Sequence, residues 1–113
     1  MPSSSSALSE GLFRRHPANP LLTPQRWPYT INAVMNAGAA LVDGETVLLC
    51  RVEDRRGFSD LTVARSHDGF SNWVVDTTPL LAPTPGVRHE SWGLEDARLT
   101  WVEELDAWII AYT

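Results

Sequence analysis

Apolar and polar positions divide this chain into stretches of different rhythm. Residues 1–18 have no apolar period, only four consecutive serines and then Arg14-Arg15-His16-Pro17, which predicts a disordered tail. From Asn19 to Tyr29 prolines recur at 20, 24 and 28. Closely spaced prolines remove backbone donors and fix φ, so this stretch is predicted to be an extended Pro-rich strap, without helix, anchored by Trp27 and Tyr29. From Asn36 onward the rhythm becomes that of β-structure. An apolar run of small residues at 37–42 meets the two-residue hairpin signal Asp43-Gly44 and a partner strand at 45–52. The polar cluster Glu53-Asp54-Arg55-Arg56-Gly57 predicts a loop. Residues 61–65 alternate as a third strand with Leu61, Val63 and Arg65 on one face. His67-Asp68-Gly69 predicts a turn, and residues 72–76 a fourth strand.

Residues 77–89 carry three prolines and a glycine and are predicted to form a loop. A second hairpin is expected from residues 98–102 and 107–112, turning at 103–106. No helical period of useful length is present, so the predicted fold is all-β. Four consecutive antiparallel strands amount to the ~40–50 residues of one propeller blade, and the chain to about one and a half blades. An open ring leaves apolar edge strands unpaired. The expectation is therefore a fragment of a longer protein, with self-association through open sheet edges as the alternative. The predicted division is residues 1–18 as tail and 19–113 as partial propeller.

The chain has 113 residues, 43% of them hydrophobic, with five tryptophans, which supports one folded domain with a modest core. A net charge of −5 provides no basic stripe for phosphate backbones, so no nucleic-acid partner is expected. All nine positive residues are arginine. Without lysine, Schiff-base chemistry and a Walker lysine are excluded. The single cysteine, Cys50, cannot pair internally and lies in the apolar run Val47-Leu48-Leu49-Cys50, where it is expected to be buried filler. No span is long enough to cross a membrane and no secretory signal pattern is present, so the expected location is cytoplasmic, without a membrane partner. The three histidines share no metal-ligand spacing, and no metal is assigned.

The candidate chemistry lies in Ser91-Trp92-Gly93-Leu94-Glu95-Asp96-Ala97-Arg98. Adjacent carboxylates on an extended segment point to opposite sides, so Glu95 and Asp96 are expected to do different jobs. One would face a cleft, and the other would pair with Arg98 or Arg51. A tryptophan beside a carboxylic acid suits a sugar site, giving an apolar wall and a group that handles protons. The structural alternative is a strand-edge ion pair beside a half-buried tryptophan. Trp73, Trp101 and Trp108 are expected in the core. For Asn36 the alternative is a turn leading into a strand, and for Arg51 an ion pair with Glu53 or Asp54.

Three stretches, in order and at fitting spacing, resemble the amino-terminal part of the glycoside hydrolase family 130 enzymes. They are residues 19–29; Asn36-Ala37-Gly38-Ala39 with Arg51-Val52-Glu53-Asp54-Arg55-Arg56-Gly57; and Trp92-Gly93-Leu94-Glu95-Asp96-Ala97-Arg98. That family comprises β-mannoside phosphorylases and mannosidases on a five-bladed β-propeller. Ala37 and Ala97 stand where many members have proline. Separately, Ser66-His67-Asp68-Gly69 with Trp73 resembles the Asp-box turn of sialidase-like propellers, which makes Asp68 structural.

The resemblance implies that Asp96 is the catalytic acid and that Asn36 and Arg51 hold the mannosyl unit beside it. Arg65, Glu95, Arg98 and Trp92 would shape or charge the same site. The implied reaction is inverting: inorganic phosphate attacks the anomeric carbon of a β-mannoside oligosaccharide and α-mannose 1-phosphate is released. Phosphate would be a co-substrate, with no cofactor, and the family's phosphate-binding residues belong mostly to later blades. An anionic nucleophile needs cationic guidance but no second carboxylate as base. The acid would have Glu95 or Asp54 as its carboxylate neighbour. Two other readings stand beside this one: a non-catalytic carbohydrate-binding propeller fragment, and a truncated product without activity of its own.

Overall fold

The computed structural model describes residues 11–113. Most of the predicted tail therefore lies outside the described residues. The all-β expectation is met: β1 (Ala33–Val42), β2 (Glu45–Glu53), β3 (Ser59–Ser66) and β4 (Val74–Val75) form one antiparallel sheet in sequence order. A second sheet consists of β5 (Arg98–Val102) and β6 (Ala107–Ala111) alone. Among the described residues no helix is long and apolar enough to cross a membrane.

Three boundaries differ from the sequence expectation. β1 starts at Ala33, four residues before the predicted run at 37, because Ala33, Val34 and Met35 pair with Glu53, Val52 and Arg51. Asn36 is thus an interior strand residue and not a turn before the strand. β4 shrinks to two residues: Val75 and Val74 face Ala64 and Arg65 of β3, and beyond them Asp76 adds a single backbone bond, its N–H to the Val63 carbonyl at 2.9 Å. The strap is not wholly extended. Pro24–Arg26 makes one 3-10 turn with proline in its first turn, a position that needs no backbone donor.

The main sheet is covered on both faces, and its alternation dictates how. Cys50, Val52 and Ala64 point to one side, where Trp27 and Ile31 complete a buried cluster with Tyr29 and Leu22 against it. The strap thus covers this face, and the Tyr29 hydroxyl lies 2.7 Å from Thr62 Oγ1. Leu49, Leu61 and Val63 point to the other side and pack with Leu94 and Ala97, flanked by Leu99 and Ile110 of the second sheet. Arg51 follows Leu49 by two residues, so it shares that second face. Trp101 and Trp108 are not core as expected. They face each other across β5 and β6 with ring centroids 5.6 Å apart and are 45% and 36% exposed. Trp73 is half-buried.

Candidate functional site

Two irregularities of the sheets build the site. In β1, Met35 faces Arg51 and Gly38 faces Leu49, so Asn36 and Ala37 share the single position opposite Cys50. This is a bulge, and bulges re-aim side chains. Asn36 takes φ 44° there, a left-handed conformation that asparagine tolerates better than most residues. The second irregularity is its counterpart. Arg98 pairs with Ala111, and Glu95 exchanges both backbone hydrogen bonds with Thr113 at 2.9 Å. Asp96 and Ala97 therefore share the position opposite Tyr112. Asp96 takes φ 53°.

Two glycines press these irregularities together. A Cβ on Gly38 would lie 2.5 Å from the Ala97 carbonyl oxygen, so only glycine lets β1 approach the acid-bearing segment this closely. Gly93, at φ 107°, would place a Cβ 2.7 Å from the Ser59 nitrogen. Its neighbour Leu94 donates its N–H to the Ser59 carbonyl at 2.9 Å. Residues 94–97 are thereby clamped between β1 and the start of β3.

Asn36 and Asp96 meet across the resulting gap. Asn36 Nδ2 donates to Asp96 Oδ1 at 3.1 Å, and Arg51 Nη1 donates to the same oxygen at 3.2 Å. Arg51 Nη2 lies 3.0 Å from Glu95 Oε1, and Arg51 Nε donates to Ser59 Oγ at 3.0 Å. The Arg51 side chain is 17% exposed, against 36% for Glu95 and 45% for Asp96. Among the described residues no protein group donates to Asp96 Oδ2. One guanidinium thus bridges the two carboxylates, while the second oxygen of the more exposed acid takes no protein hydrogen bond among the described residues.

The expectation that Glu95 and Asp96 would point apart is overturned. Alternation requires continuous extended backbone, and the left-handed turn at Asp96 interrupts it. Arg51 pairs with both of them and not with Glu53 or Asp54. Asp54 accepts from Arg56 and from the Arg56 and Phe58 N–H groups. Arg56 and these backbone donors hold its carboxyl below the ordinary carboxylate range, and Asp54 caps its own loop instead of neighbouring Asp96.

The other expected site residues are distributed as follows. Trp92 is 79% exposed, with its ring edge-on to Phe58 at 6.1 Å. The Arg56 guanidinium lies 5.0 Å from the centre of the Phe58 ring, so the half-buried Phe58 links exposed Arg56 and Trp92. Arg98 is exposed at the start of β5. Arg65 is not brought to the cluster. It faces Val47 in the sheet register, about 13 Å along β2 from Arg51 at the usual rise, and donates to Asp76 at 3.4 Å.

Asp68 behaves as a turn residue. It accepts from the Phe70 and Ser71 N–H groups at 2.9 and 2.7 Å, from Ser66 Oγ at 2.9 Å, and from the Ser71 hydroxyl. The Ser71 hydroxyl foremost, and then these N–H groups, hold its carboxyl far below the usual range. Cys50 is 1% exposed, and burial pushes its thiol up to about 11. Among the described residues no group of three or more His, Cys, Asp and Glu could hold a metal ion.

Two participants escaped the sequence. Ser59 had no local signal and is identified only by the pairing that sets it beside Arg51. Glu90 is a buried carboxylate that accepts the Tyr112 hydroxyl at 2.6 Å and the Thr84 N–H at 2.8 Å. The Tyr112 hydroxyl foremost, with the Thr84 N–H, lowers the Glu90 carboxyl, and the same contact raises Tyr112. Partners 22 residues apart leave no local pattern.

The site holds an acid, an amide and an arginine on an all-β scaffold, and solved structures with a similar fold are glycoside hydrolases and a phosphorylase. A glycosyl hydrolase from Bacteroides ovatus superposes with a TM-score of 0.71 at 26% identity, covering 88% of this chain and 33% of its own. A β-1,2-mannobiose phosphorylase from Listeria innocua, in complex with β-1,2-mannobiose, gives 0.70 at 20% identity, covering 87% and 43%. The chain spans less than half the length of these solved structures. No protein-family profile and no curated protein matches the chain. The similarity is to glycoside hydrolases and, in fold, to a mannobiose phosphorylase.

Proposed function

We propose that the protein is an inverting glycoside phosphorylase acting on β-mannoside oligosaccharides, and that this chain supplies its acid and part of its sugar subsite. The observation that carries the reading is the Asp96 carboxylate, fixed through Oδ1 by Asn36 and Arg51 while Oδ2 is uncommitted. Phosphate oxygen bonds to the anomeric carbon as the glycosidic C–O bond breaks. Asp96 gives its proton to the departing oxygen, directly or through a substrate hydroxyl, and α-mannose 1-phosphate results. Arginine carries five N–H donors, and those of Arg51 not taken by Ser59, Glu95 and Asp96 are available to a sugar hydroxyl. Trp92 offers an exposed ring for a sugar face. The scaffold is read as the amino-terminal blades of a five-bladed β-propeller, with the residues that guide phosphate outside this chain.

The test is Asp96→Asn in the complete protein, assayed with a β-mannoside and phosphate. Asparagine tolerates the left-handed backbone at this position, so the fold is retained. The expected result is loss of α-mannose 1-phosphate release, by about 100-fold or more, with sugar binding retained. Undiminished turnover would remove Asp96 as the acid. Free mannose released by the wild type without phosphate would make the enzyme a hydrolase. Exposed Trp92 also suits a binding module, and sugar bound without any product by the wild type would establish that reading.

A further inference from the structure

Glu90 is a buried charge with no part in the chemistry proposed above. A buried carboxylate is disfavoured unless its oxygens are satisfied, and here both are, one by the preceding loop and one by a residue 22 positions on. Oε1 takes the Thr84 N–H and Oε2 the Tyr112 hydroxyl. The Glu90 backbone carbonyl takes the Gly93 N–H at 3.0 Å. One residue is thus bonded just before the acid-bearing segment, at Gly93, and across from it, at Tyr112.

Tyr112 is the one residue opposite Asp96 and Ala97 in the irregular hairpin pairing, and its ring packs against the cluster containing Leu94 and Ala97. The next residue, Thr113, exchanges both backbone bonds with Glu95. Displacing Tyr112 would therefore disturb the pairing that forces Asp96 into its left-handed turn. We propose that Glu90, acting through the Tyr112 hydroxyl, is a positioning residue that sets the backbone turn aiming Asp96 at its substrate. The part concerning catalysis rests on the reading of Asp96 as the acid. The part concerning geometry does not.

The experiment compares Tyr112→Phe, Glu90→Ala and Glu90→Gln with the wild type in the complete protein. It follows amide hydrogen exchange and the kinetics with a β-mannoside and phosphate. Tyr112→Phe keeps the ring in its packing and removes only the hydroxyl. Exchange at the Glu95 and Thr113 amides is expected to accelerate at least about tenfold in Tyr112→Phe and Glu90→Ala. The Leu49 and Leu61 amides, in the sheet core, should stay at wild-type rates and so report intact folding. Glu90→Gln can still accept the Thr84 N–H through its carbonyl oxygen and donate its amide to the Tyr112 oxygen, so a bond between residues 90 and 112 is kept and wild-type exchange is expected. In turnover, kcat should drop by about tenfold to a hundredfold in the two disruptive variants with KM little changed, as for a displaced reacting group. Unchanged exchange at Glu95 and Thr113, or acceleration throughout the sheet, overturns the proposal. Accelerated exchange with unaltered kcat upholds the latch and overturns its catalytic part. Failure of Asp96 as the acid would appear separately, as retained turnover in Asp96→Asn.

Discussion

At the scale of single residues, the site depends on side chains that tolerate unusual backbone and on one that is missing. Asn36 and Asp96 both sit at positive φ, and each is of a type that visits the left-handed region with less strain than most. Their identities were legible as a motif, but their convergence was not. By alternation alone residues 95–98 are extended and the carboxylates point apart, because a single left-handed residue leaves no mark on hydrophobic alternation. Gly38 supplies the missing side chain. Its φ is not positive, so Gly38→Ala would by backbone entropy alone be worth about 0.4–1 kcal/mol of added stability. The Ala97 carbonyl 2.5 Å from the new Cβ reverses that sign, because backbone cannot swing aside. The expected outcome is a loss of about 1–3 kcal/mol in urea unfolding, with displacement of Asp96 and reduced turnover. A stabilised Gly38→Ala would mean that the close approach is not obligatory.

At the scale of elements, the strands were readable where both rhythm and punctuation were present. Asp43-Gly44 turns β1 into β2 with both residues at positive φ, 50° and 81°, as an Asp-Gly hairpin should. The early start of β1 was hidden because Asn36 breaks an otherwise apolar run, which is what a bulge does to a pattern. The Asp68 turn was legible from its own four residues, since every partner lies within three positions. It also predicts a pH response. A carboxylate held low in the folded state adds stability in full above its unfolded value, about pH 4, and loses it as pH falls through the folded value. Asp54 and Glu90 act in the same direction. Asp60, raised by burial, acts oppositely, losing its contribution as pH rises through its folded value. Thermal unfolding of Asp68→Ala should therefore show a smaller drop in Tm between pH 7 and pH 3 than the wild type. An identical drop in both proteins would place the acid sensitivity elsewhere.

At the scale of the whole molecule, the sheet faces two ways and only one face carries the candidate site. Leu49, Leu61 and Val63 back the Asp96 segment, whereas Cys50, Val52 and Ala64 lie under the strap. The strap was expected to be anchored by Trp27 and Tyr29, and Trp27 is 7% exposed. Truncating it tests whether that cover supports the sheet from behind. Trp27→Ala removes a large buried ring over Cys50 and Val52 and is expected to cost about 3–5 kcal/mol. Trp27→Phe should cost less, because the indole Nε1 is buried without a partner, and removing an unsatisfied donor offsets part of the lost packing. Cys50 provides the readout. Its thiol, pushed up to about 11 by burial, should resist alkylation at pH 8 in the wild type, since the thiolate is the reactive form. In Trp27→Ala water reaches the thiol, its pKa falls toward the ordinary range, and labelling accelerates under conditions where the sheet remains folded. Equal labelling rates in the two proteins would mean that residues other than Trp27 keep Cys50 dry, and that the strap is not what closes this face.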